Sequence, residues 1–384
     1  MPQLSDAIRA LKTSSTVALN AKALELRRAG VDVIAMTAGE PDFQPPAHVL
    51  AAAHEAIDRG LTKYTAVQGT VELREAIAAK HLRENGLRYS PDQVSVSTGG
   101  KQVLYNAFMA ILNPGDEVIV PSPYWVSYPP QIELAGGVTV TVAARAEDGF
   151  VPDPEAIAAA ITPRTRAILV NSPSNPTGAV IPEGVLRAIA DLAERHDLWL
   201  ITDELYEHMV YEGSFTPVAQ WYPERTILVH GASKGYALTG WRIGWGCGPS
   251  EVIKAMNRLQ GQVTSNANAV AQYATQVALN SVEETAAFQA MTRGAYRERR
   301  DVIVAGLNAM GLPTPTPHGA FYVMADTRGI DPDENVAGAV LLERARVAVV
   351  PGTDFGAPGF VRMSYACSLD QVRTALERIA GVLA

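Results

Sequence analysis

"RAILVNSPSNPTGAVIPEGVLRAIADLAERHDLWLITDE" occupies residues 166–204 and decides the fold. It opens on an apolar run, "RAILVNSP", which breaks into turn-forming residues. A helical stretch follows, "PEGVLRAIADLAERH", and then a second apolar run, "LWLITDE", that carries Asp203 at its end. Short β-branched or leucine runs that end in turn residues are strand signals. The stretch between them reads as a helix. The same alternation extends from about residue 94 to about residue 250, where "QVSVSTGG", "GDEVIVPSP" and "TILVHGASK" are further strand candidates. Strands alternating with helices predict a doubly wound α/β domain with a mostly parallel sheet. In such open sheets ligands bind beyond the carboxyl ends of the strands. Gly99, Gly100, Asn171, Asp203 and Ser233 all stand just after strand candidates, so the chemistry is expected there.

The chain has 384 residues, enough for two domains. Beyond about residue 285 the pattern changes. A long charged helix, "FQAMTRGAYRERRDVIVAGLNAMG", leads into "GAFYVMAD", "VAVVPG" and "FVRMSYA", which read as a smaller α+β domain. We expect a large domain over residues 46–284, and a small domain built from residues 1–45 and 285–384. Hydrophobic residues make up 47% and charged residues 19%, a globular balance. The formal charge of −8 argues against a nucleic-acid binder. The two cysteines, Cys247 and Cys367, form no CxxC pattern, which implies neither a disulfide scaffold nor a zinc site and fits a reducing cytoplasm. The N-terminus lacks the pattern of a secretory signal. The uncharged stretch from Leu259 to Val282 is rich in Gln, Asn, Ser and Thr. It reads as a buried or interface helix and not as a membrane span.

Several side chains invite a chemical reading beside a plain one. In "SKGYALTGWRIG", residues 233–244, Lys234 is either a loop lysine or a reactive amine. Ser233 and Arg242 suit an anion, and a nearby cation with desolvation lowers a lysine pKa toward the free amine. Asp203 is either the N-cap of a helix over "DELYEHMVY" or a carboxylate facing a protonated ring nitrogen. On such a helix Tyr206 shares a face with Asp203. Asn171 and Asn175 in "NSPSNPTG" follow a buried strand, "STGGKQ" offers backbone N–H groups at a helix start, and Trp125 in "PSPYWVSY" is a flat ring after a strand. Arg362 sits in the apolar run "FVRMSYA", where it needs either an acidic protein partner or a substrate carboxylate.

Together these stretches resemble the class I aminotransferases of pyridoxal-phosphate fold type I. "SKGYALTGWRIG", "NSPSNPTG", "ITDELYEHMVY", "YTAVQGTVELREAIA" and "GEPDFQPP" carry the likeness, in the expected order over nearly the whole chain. With "SSTVALNAKA", "GGKQ" and "SPYWVSYP" the chain is most similar to the bacterial branch of aspartate aminotransferases, some of which also use prephenate.

The resemblance implies a set of roles. Lys234 would be the Schiff-base lysine and proton carrier for pyridoxal 5'-phosphate, and Asp203 the partner of its pyridine nitrogen. Asn175 and Tyr206 would bind the phenolic oxygen, and Trp125 would stack on the ring. Gly100, Lys101, Ser233 and Arg242 would hold the phosphate. Arg362 would grip the substrate α-carboxylate, with Asn175, Trp125 and the Gly39 backbone. Lys12, Ser15, Thr16 and Lys101 would meet a distal carboxylate. Tyr64 would reach the phosphate of a neighbouring subunit, which makes the expected unit a homodimer with shared sites. The implied substrates are amino acids and 2-oxo acids, with aspartate or glutamate first and prephenate as a further acceptor.

Within the same chemistry an aromatic or alanine-type aminotransferase, or a fold type I lyase, stays open. A cofactor-sensing transcription factor would need a DNA-binding domain ahead of Gly39, for which little chain is available. There is no GxxxxGK[ST] signature for a nucleotide enzyme.

Overall fold

The computed structural model describes residues 4–11 and 15–383, and the side chains of these apart from positions 7, 10 and 15–20. In chain order the strands are β1 (Ile34–Ala35), β2 (Val94–Thr98), β3 (Glu117–Ser122), β4 (Val138–Ala143), β5 (Thr165–Asn171), β6 (Trp199–Asp203), β7 (Thr226–Gly231), β8 (Ile243–Cys247), β9 (Tyr322–Asp326), β10 (Val347–Ala348), β11 (Val350–Pro351) and β12 (Phe360–Ser364).

Seven of them form one sheet in the order β2-β8-β7-β6-β5-β3-β4. All neighbours run parallel except β8, which is antiparallel to both β2 and β7. β4 and β8 fall in "VTVTVA" and "IGWGC", which the strand reading passed over. β4 has one buried residue among six, so it is an edge strand with little apolar signal. β8 is rich in glycine, which weakens a strand signal.

The inner strands are buried on both faces, and alternate residues feed two cores. In β5, Ile168 and Val170 face the helix Glu183–Arg195. That helix buries Leu186, Ile189, Ala190 and Ala193, the i, i+3, i+4, i+7 stripe of one helical face. Glu183 in its first turn and Arg195 in its last suit the helix dipole. Ala167 and Leu169 point the other way, with Ile201 of β6, onto the helices Gly100–Ile111 and Ser250–Val263. The result is a three-layer α/β/α sandwich, the doubly wound architecture expected.

A second core gathers around the antiparallel sheet β11-β12-β9 and the helices Val282–Ala309 and Leu369–Leu383. β1 pairs in parallel with β10 and ties the N-terminal region to this part. The stretch Leu259 to Val282 is not one helix. Two helices, Ser250–Val263 and Ala269–Asn280, meet at a break where Ser265 takes a positive φ and Asn268 caps the second helix. Among the described residues no helix is long and apolar enough to cross a membrane.

The strand order reverses direction between β3 and β5. Crossovers leave this point toward β4 on one side and toward β6 and β7 on the other. That is where an open sheet leaves a crevice for ligands.

Candidate active site

A cleft of about 500 Å³ opens at this edge. The carboxyl ends of β2, β3, β5, β6 and β7 deliver Gly100, Trp125, Asn175, Asp203 and Lys234 into it, and β8 begins there just after Arg242. β12 of the smaller sheet supplies Arg362 to the same cleft. Residues more than 260 positions apart therefore share one cavity.

Lys234 follows β7. Its Nζ donates to the carbonyl of Gly39. Desolvation, with the charges of Arg242 and Arg362 and against those of Glu40 and Asp203, brings its ammonium down to about 8. A substantial fraction of free amine is thus present near neutrality.

Asp203 ends β6 and is buried. Burial pushes its carboxyl up to about 6, against a hydrogen bond from Tyr128, the Leu205 N–H and the charge of Lys234. No helix follows it. Residues 205–208 form turns, so Asp203 is not the N-cap of "DELYEHMVY", and its Oδ1 instead accepts from Leu205 N at 3.3 Å. Tyr206 reaches the cleft through this turn and not by helical spacing. Asn171 donates from Nδ2 to the Asp203 carbonyl at 2.9 Å and accepts from Asn175 N at 2.8 Å, locking the two strand ends together.

The anion cradle rests on glycine. Gly99, at φ 80°, turns the chain from β2 into the helix Gly100–Ile111. A Cβ on Gly99 would lie 2.7 Å from Nη2 of Arg242, and a Cβ on Gly244 would lie 2.3 Å from Gly100 N. Only glycines let the guanidinium and the helix start approach this closely. Arg242 sits at φ 59° and anchors Nη1 on the Thr239 carbonyl at 2.8 Å. The helix N-terminus leaves backbone N–H groups free for an anion, with Ser233 beside them among the cleft residues. Lys101 lies on the first turn with Nζ 4.8 Å from the Trp125 ring centre. Partial desolvation and then Arg242 lower its ammonium.

Arg362 is 2% exposed. Its guanidinium packs against Tyr322 and Phe355, at 4.7 and 4.8 Å from the ring centres. Nη1 donates to Asn175 Oδ1 at 3.0 Å and Nη2 to the Thr37 carbonyl at 2.8 Å, while Nε is buried with no partner. Among the described residues no carboxylate pairs with it. A buried cation held by rings and neutral oxygens is an anion site in waiting.

Tyr64 is 93% exposed and is not among the cleft residues. Lys12 lies outside the described residues, as do the side chains of Ser15 and Thr16. Two buried tyrosines of the cleft escaped the sequence reading. Tyr128 donates to Asp203 Oδ2 at 2.7 Å, and its one sequence signal is its place in "SPYWVSYP". Tyr322 meets the Tyr206 hydroxyl at 2.7 Å and looks like any aromatic in a core strand.

A second polar cluster lies outside the cleft. Glu207, His208 and His230 approach one another closely enough to suggest metal ligands. The ammonium of Lys80, fully buried, already pairs with Glu207. His230 Nδ1 accepts from the Gly231 N–H at 2.7 Å, so Nε2 carries the ring hydrogen and has no lone pair to offer. The arrangement is an ion pair in a histidine cage.

A family profile described as "Aminotransferase class I and II" matches residues 31–379. The aspartate/prephenate aminotransferase of Thermus thermophilus is 57% identical over 383 residues, covering 100% of this chain and 99% of its own. That of Cereibacter sphaeroides is 49% identical over 401 residues, covering 100% and 99%. The Thermus thermophilus aspartate aminotransferase solved with maleate superposes with a TM-score of 0.98 at 56% identity, over 100% of both chains. The structure from Rhizobium meliloti gives 0.95 at 45%, over 100% and 99%. The fold, the cleft and these likenesses agree: the chain belongs to the class I and II aminotransferases.

Proposed function

We propose that this aminotransferase holds pyridoxal 5'-phosphate in the cleft and transfers amino groups between L-aspartate or L-glutamate and oxaloacetate or 2-oxoglutarate. The residues present fit the cofactor. Glycines at 99 and 244 keep the cradle open, and a guanidinium, a hydroxyl and helix N–H groups form a donor set for a phosphate dianion. When bound, the cofactor supplies an aldehyde to accept the amino group and a cationic ring to take up electrons.

In this reading Lys234 would hold the cofactor through its amine and would carry the α-proton at Nζ. Its lowered pKa makes it a base near neutrality. Asp203 would face the ring nitrogen as a carboxylate and would keep that nitrogen protonated. Tyr206 and Asn175 would donate to the phenolic oxygen, and Trp125 would stack on the ring. Gly100, the Lys101 N–H, Ser233 and Arg242 hold the phosphate. Arg362 takes the substrate α-carboxylate with a two-bond fork, alongside Asn175, Trp125 and Gly39. A second half-reaction with a 2-oxo acid returns the amino group, giving ping-pong kinetics.

The observation that carries this reading is the buried Arg362, without an acidic partner among the described residues, facing the same cleft as a lysine with a depressed pKa and a buried aspartate. Dicarboxylic substrates are supported by the relatives, which are aspartate/prephenate aminotransferases, and by maleate, a dicarboxylate, in the Thermus structure. The same names support prephenate as a further acceptor. A distal carboxylate would meet Lys101, with Lys12, Ser15 and Thr16. The unit we propose is a homodimer in which the exposed Tyr64 serves the partner's phosphate site.

Purified protein tested against a panel of amino donors and 2-oxo acceptors decides the substrate. Higher kcat/KM with alanine or phenylalanine than with aspartate would overturn the assignment. Borohydride reduction should fix the cofactor on Lys234, and a label on another lysine would remove that residue's role. Mixing Tyr64→Phe with Lys234→Ala subunits should restore sites free of both changes. A fully active monomer by light scattering would end the shared-site reading.

A further inference from the structure

Tyr322 carries a hydroxyl that stacking does not require. Its ring lies against the Arg362 guanidinium, and Phe355, a plain phenyl ring, lies against it at almost the same distance. Tyr322 is fully buried, so its hydroxyl needs a partner. That partner is the Tyr206 hydroxyl at 2.7 Å. The hydroxyl is closely confined, because a Cβ on Gly39 would lie 3.0 Å from it.

A phenol has one hydrogen to give. If Tyr206 spends its hydrogen on Tyr322, none is left to point into the cleft. If Tyr322 donates, Tyr206 accepts from behind and keeps its own hydrogen for an oxygen in front. The Arg362 cation under the Tyr322 ring favours the second arrangement, since a nearby positive charge makes a phenol the stronger donor. We propose that Tyr322 is a positioning residue that fixes the direction of the Tyr206 hydroxyl and links the Arg362 end of the cleft to the Lys234 end. Lys234 Nζ lies 5.8 Å from the Tyr206 ring centre, so the relay ends beside the reactive amine. Donor–acceptor chains of this kind strengthen one another in a dry site. The inference rests on the reading in which Tyr206 donates to the cofactor's phenolic oxygen.

The test is the pH midpoint of the visible absorbance band of the cofactor-loaded enzyme. Donation to the phenolic oxygen stabilises its negative charge and lowers the proton affinity of the nitrogen that Lys234 contributes. Tyr206→Phe should therefore raise the midpoint, by about 1–2 pH units for a charge-assisted bond. Tyr322→Phe should raise it by about 0.5–1 unit, as a bond acting through another. The double variant should match Tyr206→Phe alone, because Tyr322 has nothing to act on without the Tyr206 hydroxyl. Tyr322→3-fluorotyrosine keeps the hydroxyl and the packing while strengthening the donor, and should lower the midpoint. An unmoved midpoint in Tyr322→Phe, an additive double variant, or an upward or absent shift with fluorotyrosine would each overturn the role of Tyr322. If Tyr206→Phe itself leaves the midpoint in place, the placement of Tyr206 fails, and Tyr322 falls with it. A merely structural loss would lower the melting temperature of the unloaded protein and leave the midpoint where it was.

Discussion

The Tyr128 hydroxyl donates to Oδ2 of Asp203 at 2.7 Å, and both groups are buried. The bond stabilises a carboxylate that burial otherwise disfavours, and the Asp203 carboxyl settles at about 6. The consequence for stability follows from linkage. A folded-state pKa raised above the ordinary 3.8 means the folded protein holds the proton more tightly. This group's contribution is fully present below about pH 4 and is lost as pH rises through 6, on the order of 3 kcal/mol in all. Asp203→Asn should remove that pH dependence from the unloaded protein and raise its melting temperature at pH 7, while weakening cofactor binding. Tyr128→Phe should do the reverse for stability and steepen the decline between pH 4 and 7. Thermal unfolding of the unloaded variants across that range checks both.

Lys234 should capture the cofactor aldehyde in a strongly pH-dependent way. Only the free amine reacts. With a pKa of about 8, the rate should climb about tenfold per pH unit below 8 and flatten above it. An ordinary lysine would go on climbing toward 10.5. Stopped-flow absorbance of the unloaded protein mixed with cofactor measures the profile. Removing Arg242 takes away one positive neighbour, so Arg242→Gln should shift the plateau upward and also slow capture.

Lys101 is the cation we propose for a distal carboxylate. Its Nζ stands over Trp125 at the cleft while its carbonyl accepts from Gln131 Nε2 at 2.9 Å. The side chain is thus separable from the backbone that starts the helix. Lys101→Ala should lower kcat/KM for aspartate roughly ten- to a hundredfold and spare alanine or phenylalanine. Equal losses for both classes would make Lys101 a part of the phosphate cradle only.

Lys80 and Glu207 form an ion pair away from the cleft, with side chains 0% and 3% exposed. Burial alone would raise the Glu207 carboxyl, but Lys80, His230 and His208 hold it well below the usual range. Breaking such a pair leaves one charge stranded. Lys80→Met should cost about 3–5 kcal/mol of stability. Adding Glu207→Gln should recover part of that, since the stranded carboxylate is gone. Chemical denaturation of the two variants measures the difference.

Local sequence determined the alternation of β5, helix and β6, because a buried parallel strand must be an unbroken apolar run and its helix must carry an apolar stripe. It also determined the glycines around the helix start at Gly100 and the lysine between small residues at 234. Strand order, and with it the switch point between β3 and β5, came only from the tertiary structure, since many orders satisfy the same apolar runs. The edge strand β4 was invisible for a related reason: with one face in solvent and few buried residues it carries little hydrophobic pattern. Tertiary packing also decided what Asp203 is. Its sequence suits a helix cap, but the chain after β6 turns into the second core, where Tyr206 packs with Phe321 and Tyr322. Arg362 shows the division most directly. Sequence placed a charge in an apolar strand, and only the fold could show that two rings and two neutral oxygens surround it, leaving the charge for a ligand. Pairings over such separations have no signature in the local pattern, because they depend on which faces meet after the chain has folded.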